Sequence, residues 1–144
     1  MSFFIINFET KGYTPLTRVL ENVLKDNTHM NLGERKLLII ILTDGEPTDQ
    51  FGRSDVRGFK QCLKSRPNNV YTNIIACTDD NESVEYLNHW DKTIKYLDIC
   101  DDYRSERAEV KKAKGQSFPF TFGDYVVKSL IVKIISYYTF YFCI

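Results

Sequence analysis

Leu37-Leu38-Ile39-Ile40-Ile41-Leu42-Thr43-Asp44-Gly45-Glu46-Pro47-Thr48-Asp49 decides the fold of this chain. A run of aliphatic residues that breaks abruptly into a polar turn reads as a strand apolar on both faces. Such a strand belongs inside a parallel sheet with helices over each side. Downstream, Val56, Phe59, Lys60 and Leu63 recur at helical spacing and stop at Pro67-Asn68-Asn69. Val70 to Cys77 then reads as a second strand ending in Thr78-Asp79-Asp80. Glu82 to Ile94 reads as a helix with Val84, Leu87 and Trp90 on one face. Tyr96 to Cys100 is a third strand ending in Asp101-Asp102, and Ser105 to Lys114 is a charged helix capped by Ser105.

The upstream side follows the same rhythm. Ser2 to Phe8 is a short apolar run rich in Phe and Ile, consistent with a strand. Lys11-Gly12-Tyr13-Thr14-Pro15 forms a turn in which Thr14 is the expected N-cap and Pro15 the first helical residue. Leu16, Val19, Leu20, Val23 and Leu24 then lie three and four apart on one helix face, and Asp26-Asn27-Thr28 and Asn31-Leu32-Gly33 form a polar break. Strands alternating with helices predict an α/β fold with a Rossmann-like, doubly wound, mostly parallel sheet flanked by helices.

From Phe118 the pattern changes. Phe120 to Tyr125 reads as a loop leading into a helix at Val126, and Ser129 to Ile144 is almost wholly apolar and aromatic. That run is shorter than the ~20 residues of a spanning helix, so no membrane span is expected. It reads as a buried helix or strand, with a membrane- or partner-binding tail or a disordered, aggregation-prone end as alternatives.

Composition narrows the function. The 144 residues are 43% hydrophobic and 26% charged with few Gly and Pro, which excludes collagen-like and largely disordered chains. Length predicts one domain, spanning residues 1–144. Nineteen basic residues balance nineteen acidic ones, so charge points to no nucleic-acid partner, and the basic run Arg104 to Lys114 reads as a solvated helix face. Cys62, Cys77, Cys100 and Cys143 show no CxxC spacing, and Cys77 and Cys100 end apolar runs where a thiol packs as a small hydrophobe. With no signal-peptide pattern at Met1 to Ile6, the expected location is cytoplasmic. His29 and His89 stand in no triad-like arrangement. Gly45 and Gly123 read as turn glycines rather than phosphate cradles, because neither nucleotide-binding glycine pattern occurs.

The chemistry belongs at the carboxyl ends of the strands, where open parallel sheets bind ligands. Three strands deliver Asp44, then Asp79 with Asp80, then Asp101 with Asp102 to that edge. Carboxylates there suit a hard divalent cation such as Mg²⁺. Aspartate is equally at home after a strand as a cap for the next helix, and composition leaves both readings open.

Gly12-Tyr13-Thr14-Pro15-Leu16 followed by Leu38 to Asp49 resembles two metal-site motifs of the von Willebrand factor type A domain, a G-x-T-P-L turn and a strand ending in T-D-G-x-x-T-D. The resemblance runs from Gly12 to Ser129 and is closer to intracellular and protist-type members than to integrin inserts; residues 130–144 form an apolar tail without a family counterpart. It implies a metal-ion-dependent adhesion site in which Thr14 reaches Mg²⁺ through its hydroxyl and Asp44 directly or through water. An acidic side chain of a protein partner would complete the shell. The family's D-x-S-x-S turn does not occur in the 144 residues. The resemblance therefore implies an N-terminally truncated domain lacking the family's first strands, with an incomplete, weak Mg²⁺ site, or a gene-model fragment. The expected function is a non-enzymatic protein-interaction module, with self-association through an open sheet edge or the apolar tail. The alternative is a Mg²⁺-dependent hydrolase or phosphoryl-transfer enzyme using the acidic strand ends.

Overall fold

The computed structural model describes residues 2–6, 12–29, 36–78 and 80–135. Phe8, Lys11, the Asn31-Leu32-Gly33 break, Asp79, Cys143 and the end of the apolar tail lie outside the described residues. Four strands, β1 (Ser2–Ile6), β2 (Leu37–Thr43), β3 (Val70–Ala76) and β4 (Leu97–Cys100), form one sheet in the order β1-β2-β3-β4. Every neighbouring pair is parallel, with Ile39 opposite Phe4 and Thr72, and Asn73 opposite Asp98. The alternation of strand and helix expected from the sequence is present.

The strand order advances one place at a time in the same direction. Right-handed crossovers of that kind put all their connecting helices over one face. The core follows this rule. Leu37, Ile39 and Ile41 of β2, Val70 and Ile74 of β3 and Leu97 of β4 point to one side of the sheet. There they meet Leu16 and Leu20 of α1 (Leu16–His29), Phe59 and Leu63 of α2 (Val56–Lys64), and Leu87, Trp90 and Ile94 from the β3–β4 connection. The alternate residues Leu38, Ile40 and Tyr71 face the other side, where Leu130 of α6 (Phe122–Ile135) packs against them. β2 is thus buried on both faces, as its uninterrupted aliphatic run requires. Among the described strands the order never reverses.

Local chemistry moves several element boundaries. The polar residues Asp26-Asn27-Thr28 do not break α1, which continues to His29. The connection after β3 is not one helix from Glu82 to Ile94. It is α3 (Asn81–Val84), a 3₁₀ turn (Glu85–Leu87) and α4 (Trp90–Thr93), interrupted where Asn88 is extended and His89 is left-handed at φ 67°. Trp90 still reaches the core, its ring 6.1 Å from that of Phe59 and tilted 45° to it. α5 spans Tyr103–Lys114 and is capped by Asp102 rather than Ser105: the Asp102 carboxylate accepts from Arg104 N at 2.7 Å and from Ser105 Oγ at 2.6 Å.

α6 begins at Phe122, four residues before the expected Val126, and contains Gly123, which is therefore a helical residue and not a turn glycine. Its start is a reciprocal cap in which Thr121 N donates to Asp124 Oδ2 at 2.7 Å and Asp124 N donates to Thr121 Oγ1 at 3.2 Å. No helix among the described residues is long and apolar enough to cross a membrane.

Candidate functional site at the carboxyl edge

The two sequence motifs interlock through residues 34 positions apart. The Thr14 amide donates to Thr48 Oγ1 at 2.7 Å, and the Thr48 amide returns a bond to the Thr14 carbonyl at 2.8 Å. Three residues on, Thr17 Oγ1 donates to Asp55 Oδ2 at 2.7 Å and ties α1 to the start of α2. The Tyr13 ring lies over Gly52, so close that a Cβ there would come within 2.3 Å of it.

The loop after β2 is itself tightly built. Thr43, buried at the strand end, donates through Oγ1 to the Gly45 carbonyl at 3.0 Å. Tyr86 reaches the same carbonyl at 3.2 Å, and burial pushes its hydroxyl pKa well up. Further on, a Thr48–Ser54 bridge closes a small lobe around Asp49. The Asp49 carboxylate accepts from Phe51 N, Arg53 N and Arg53 Nε at 2.8, 3.0 and 2.9 Å. The Arg53 backbone bond is the main cause that holds its pKa below 3.8.

Thr14 is half-buried on the turn that opens α1, and Asp44 is exposed immediately after β2. The acidic strand ends divide into two kinds. Asp80 and Asp102 cap helices: Asp80 accepts from Glu82 N at 3.1 Å and Ser83 Oγ at 2.6 Å, and the serine hydroxyls beside both aspartates lower their pKa values. Asp44 and Asp101 are exposed, and neither is the N-cap of a helix whose cap is described. Asp101 is raised, first by partial burial and then by the neighbouring negative charges of Glu106, Glu109 and Asp102. Asp79 lies outside the described residues.

A pocket of about 410 Å³ opens at the same edge, lined by Cys77, Thr78, Asp102, Tyr103, Phe122 and Tyr125 among others. Its aromatic wall is continuous, with Tyr103 5.5 Å from Phe122 and 5.7 Å from Tyr125 between ring centroids. Cys77 is exposed here, against the expectation of a packed thiol. It stands one residue past β3, and its amide is held by the Thr43 carbonyl at 2.8 Å. Desolvation, then the charges of Asp44 and Asp102, raise its pKa. Cys62 and Cys100 are free and buried, as apolar packing predicts. His89 is exposed.

The donor set suits a hard cation in kind, a hydroxyl at Thr14 and a carboxylate at Asp44, but not in number. Among the described residues no three His, Cys, Asp or Glu side chains gather closely enough to hold a metal ion. Sequence reasoning missed Tyr13, Thr48 and Gly52 as the residues that lock the two motifs together. The only sequence signal for Tyr13 and Thr48 was their place inside the motifs, and Gly52 lies three residues beyond the second motif. Comparison with protein-family models, with curated proteins and with solved structures finds no match.

Proposed function

We propose that this chain is a non-enzymatic protein-interaction module of the von Willebrand factor type A class, doubly wound in plan, whose 144 residues contain no D-x-S-x-S turn. The observation that carries the reading is the mutual pair of hydrogen bonds between Thr14 and Thr48, reinforced by Tyr13 over Gly52. A G-x-T-P-L turn and a T-D-G-x-x-T-D loop that had no common purpose would have no reason to brace each other. β1 lies beside β2 in parallel, the place that the resemblance gives to the family's central strand.

In this reading Thr14 and Asp44 hold Mg²⁺ through one hydroxyl and one carboxylate oxygen. Water fills most of the shell, and an acidic side chain of a protein partner completes it. The ion would supply an electrostatic anchor for that carboxylate. Mg²⁺ parts with its water reluctantly, so two protein oxygens hold it weakly. The module is cytoplasmic, and it self-associates through the open edge of its sheet.

Titration calorimetry with Mg²⁺ and Mn²⁺ tests the site. The expected Kd is on the order of a millimolar, lost in Asp44→Ala and weakened in Thr14→Ala. Micromolar binding that depends on Asp44 would mean a competent site. Unchanged binding in both variants would remove the adhesion-site reading. Phosphatase turnover abolished by Asp44→Asn would replace it with the hydrolase reading.

A further inference from the structure

At the opposite, amino-terminal end of the strands, Arg66 is only 9% exposed. Its Nε donates to the Leu63 carbonyl at 2.7 Å, one Nη to Thr72 Oγ1 and to the Tyr96 carbonyl at 3.4 Å, and the other Nη to the Lys95 carbonyl at 3.1 Å. All four acceptors are neutral, and one of the five N–H groups of the guanidinium is left over. The carbonyls at the end of α2 offset part of the charge. Among the described residues no carboxylate pairs with it, whereas Arg53 pairs with Asp49 and Lys128 with Glu106. A cation buried without a counter-ion is costly. Burial pushes the Arg66 pKa down to about 10.

Arg66 lines a pocket of about 190 Å³ together with Lys64, Asn68, Thr93 and Lys95. Three of its lining residues are cationic and none is acidic. Its volume is roughly that of six waters at ~30 Å³ each, enough for a phosphate group and a short stub but small for a nucleotide. Arg66 has one N–H left to offer a phosphate oxygen as a charged donor, and Lys64 and Lys95 line the same pocket and add two flexible ammonium groups. The turn is built toward this point: Tyr96 is left-handed at φ 57°, and both its carbonyl and that of Lys95 are directed at Arg66.

We propose that this pocket is a phosphate-group site, with Arg66 as its fixed cation and Lys64 and Lys95 as its mobile ones. It is independent of the carboxyl-edge reading, since it shares no residue with it. The test is an NMR titration of the ¹⁵N-labelled full chain with inorganic phosphate at ionic strength held constant with chloride. Amides of residues 63–66, 68 and 93–96 are expected to shift together and to saturate with a Kd on the order of 1–10 mM. Phosphoserine should shift the same amides, whereas acetate should bind at least about tenfold more weakly. Tighter binding of phosphoserine than of inorganic phosphate would identify a phosphomonoester as the source, and the reverse order the free ion.

Because Arg66→Lys removes bonds that hold the turn, the deciding variant is Lys64→Glu/Lys95→Glu, which changes exposed side chains only. It should retain the wild-type circular dichroism and weaken phosphate about tenfold or more. Undiminished affinity in that variant, shifts that do not saturate, or equal affinity for acetate would each overturn the site.

Discussion

Single residues decide how well the two motif loops hold together. Gly52 has φ +80°, where a side chain is strained whatever space is available. The Tyr13 ring over it is 62% exposed and can swing aside, so the backbone rather than the clash should dominate. Gly52→Ala is expected to destabilise by about 1 kcal/mol, read by urea unfolding. Nearly the same loss should persist in a Tyr13→Ala background; loss of the effect there would assign it to the ring. The aspartates make a second residue-scale prediction. Asp49, Asp80, Asp102 and Asp124 all have pKa values below 3.8, each held down by hydrogen bonds from its own turn. A carboxyl lowered on folding contributes stability above its unfolded pKa and loses it as pH falls through its folded one. Stability should therefore decline as the solution is acidified below about pH 4. Asp101 runs the other way, being raised, so its ionised form opposes folding at neutral pH. Asp101→Asn should be neutral or mildly stabilising at pH 7, and carboxyl NMR should place Asp101 above the other four. The sequence showed Asp44, Asp80, Asp101 and Asp102 at strand ends but not which were caps. Asp80 and Asp102 differ from Asp44 only in having Ser83 and Ser105 three residues on.

Elements were legible where burial sets the pattern and illegible where a local polar contact does. The uninterrupted aliphatics of β2 and the spacing of Leu16, Leu20, Phe59 and Leu63 declare their faces because each is pressed into the same core. The break at His89 has no such signature: an exposed non-glycine residue stands in the left-handed region, and its carbonyl accepts from Lys92 N at 3.3 Å and Thr93 Oγ1 at 3.2 Å. The start of α6 was readable as Thr121-x-x-Asp124, a capping signature that the aromatic residues between them obscured. What holds α5 to α6 was not readable at all. Glu106, 5% exposed, pairs with Lys128 across the two helices, while Asn73 in the middle of β3 donates its amide to the Ser129 carbonyl. Lys128→Met strands a buried carboxylate and should cost about 2–3 kcal/mol in thermal or urea unfolding. Glu106→Gln combined with Lys128→Met should recover part of that loss, because the charge that needed a partner is gone. A double variant as weak as the sum of the single variants would show that the pair contributes nothing by its contact.

At the scale of the whole molecule, the sheet formed by the described residues ends on β1 and β4, and the two edges are unlike. β4 is four residues long, and its Cys100 end runs straight into the α5 cap, a short edge of the kind that resists pairing. β1 pairs with β2 over five residues and has no strand on its far side among the described residues. An edge strand offers unpaired backbone donors and acceptors to a second chain, and a two-fold pairing of β1 with its copy would continue the sheet. The exposed Phe122 and Val127 lie on α6, over the opposite face and away from that edge. If association uses β1, weakening it should not require touching α6. Light scattering on a size-exclusion column is expected to show a concentration-dependent dimer. Phe4→Pro, which removes a backbone donor from the strand, should shift it toward monomer, whereas Val127→Lys should leave it unchanged. A dimer dissolved by Val127→Lys and indifferent to Phe4→Pro would move the interface to the helical face, and a monomer at all concentrations would close the sheet edge to this role.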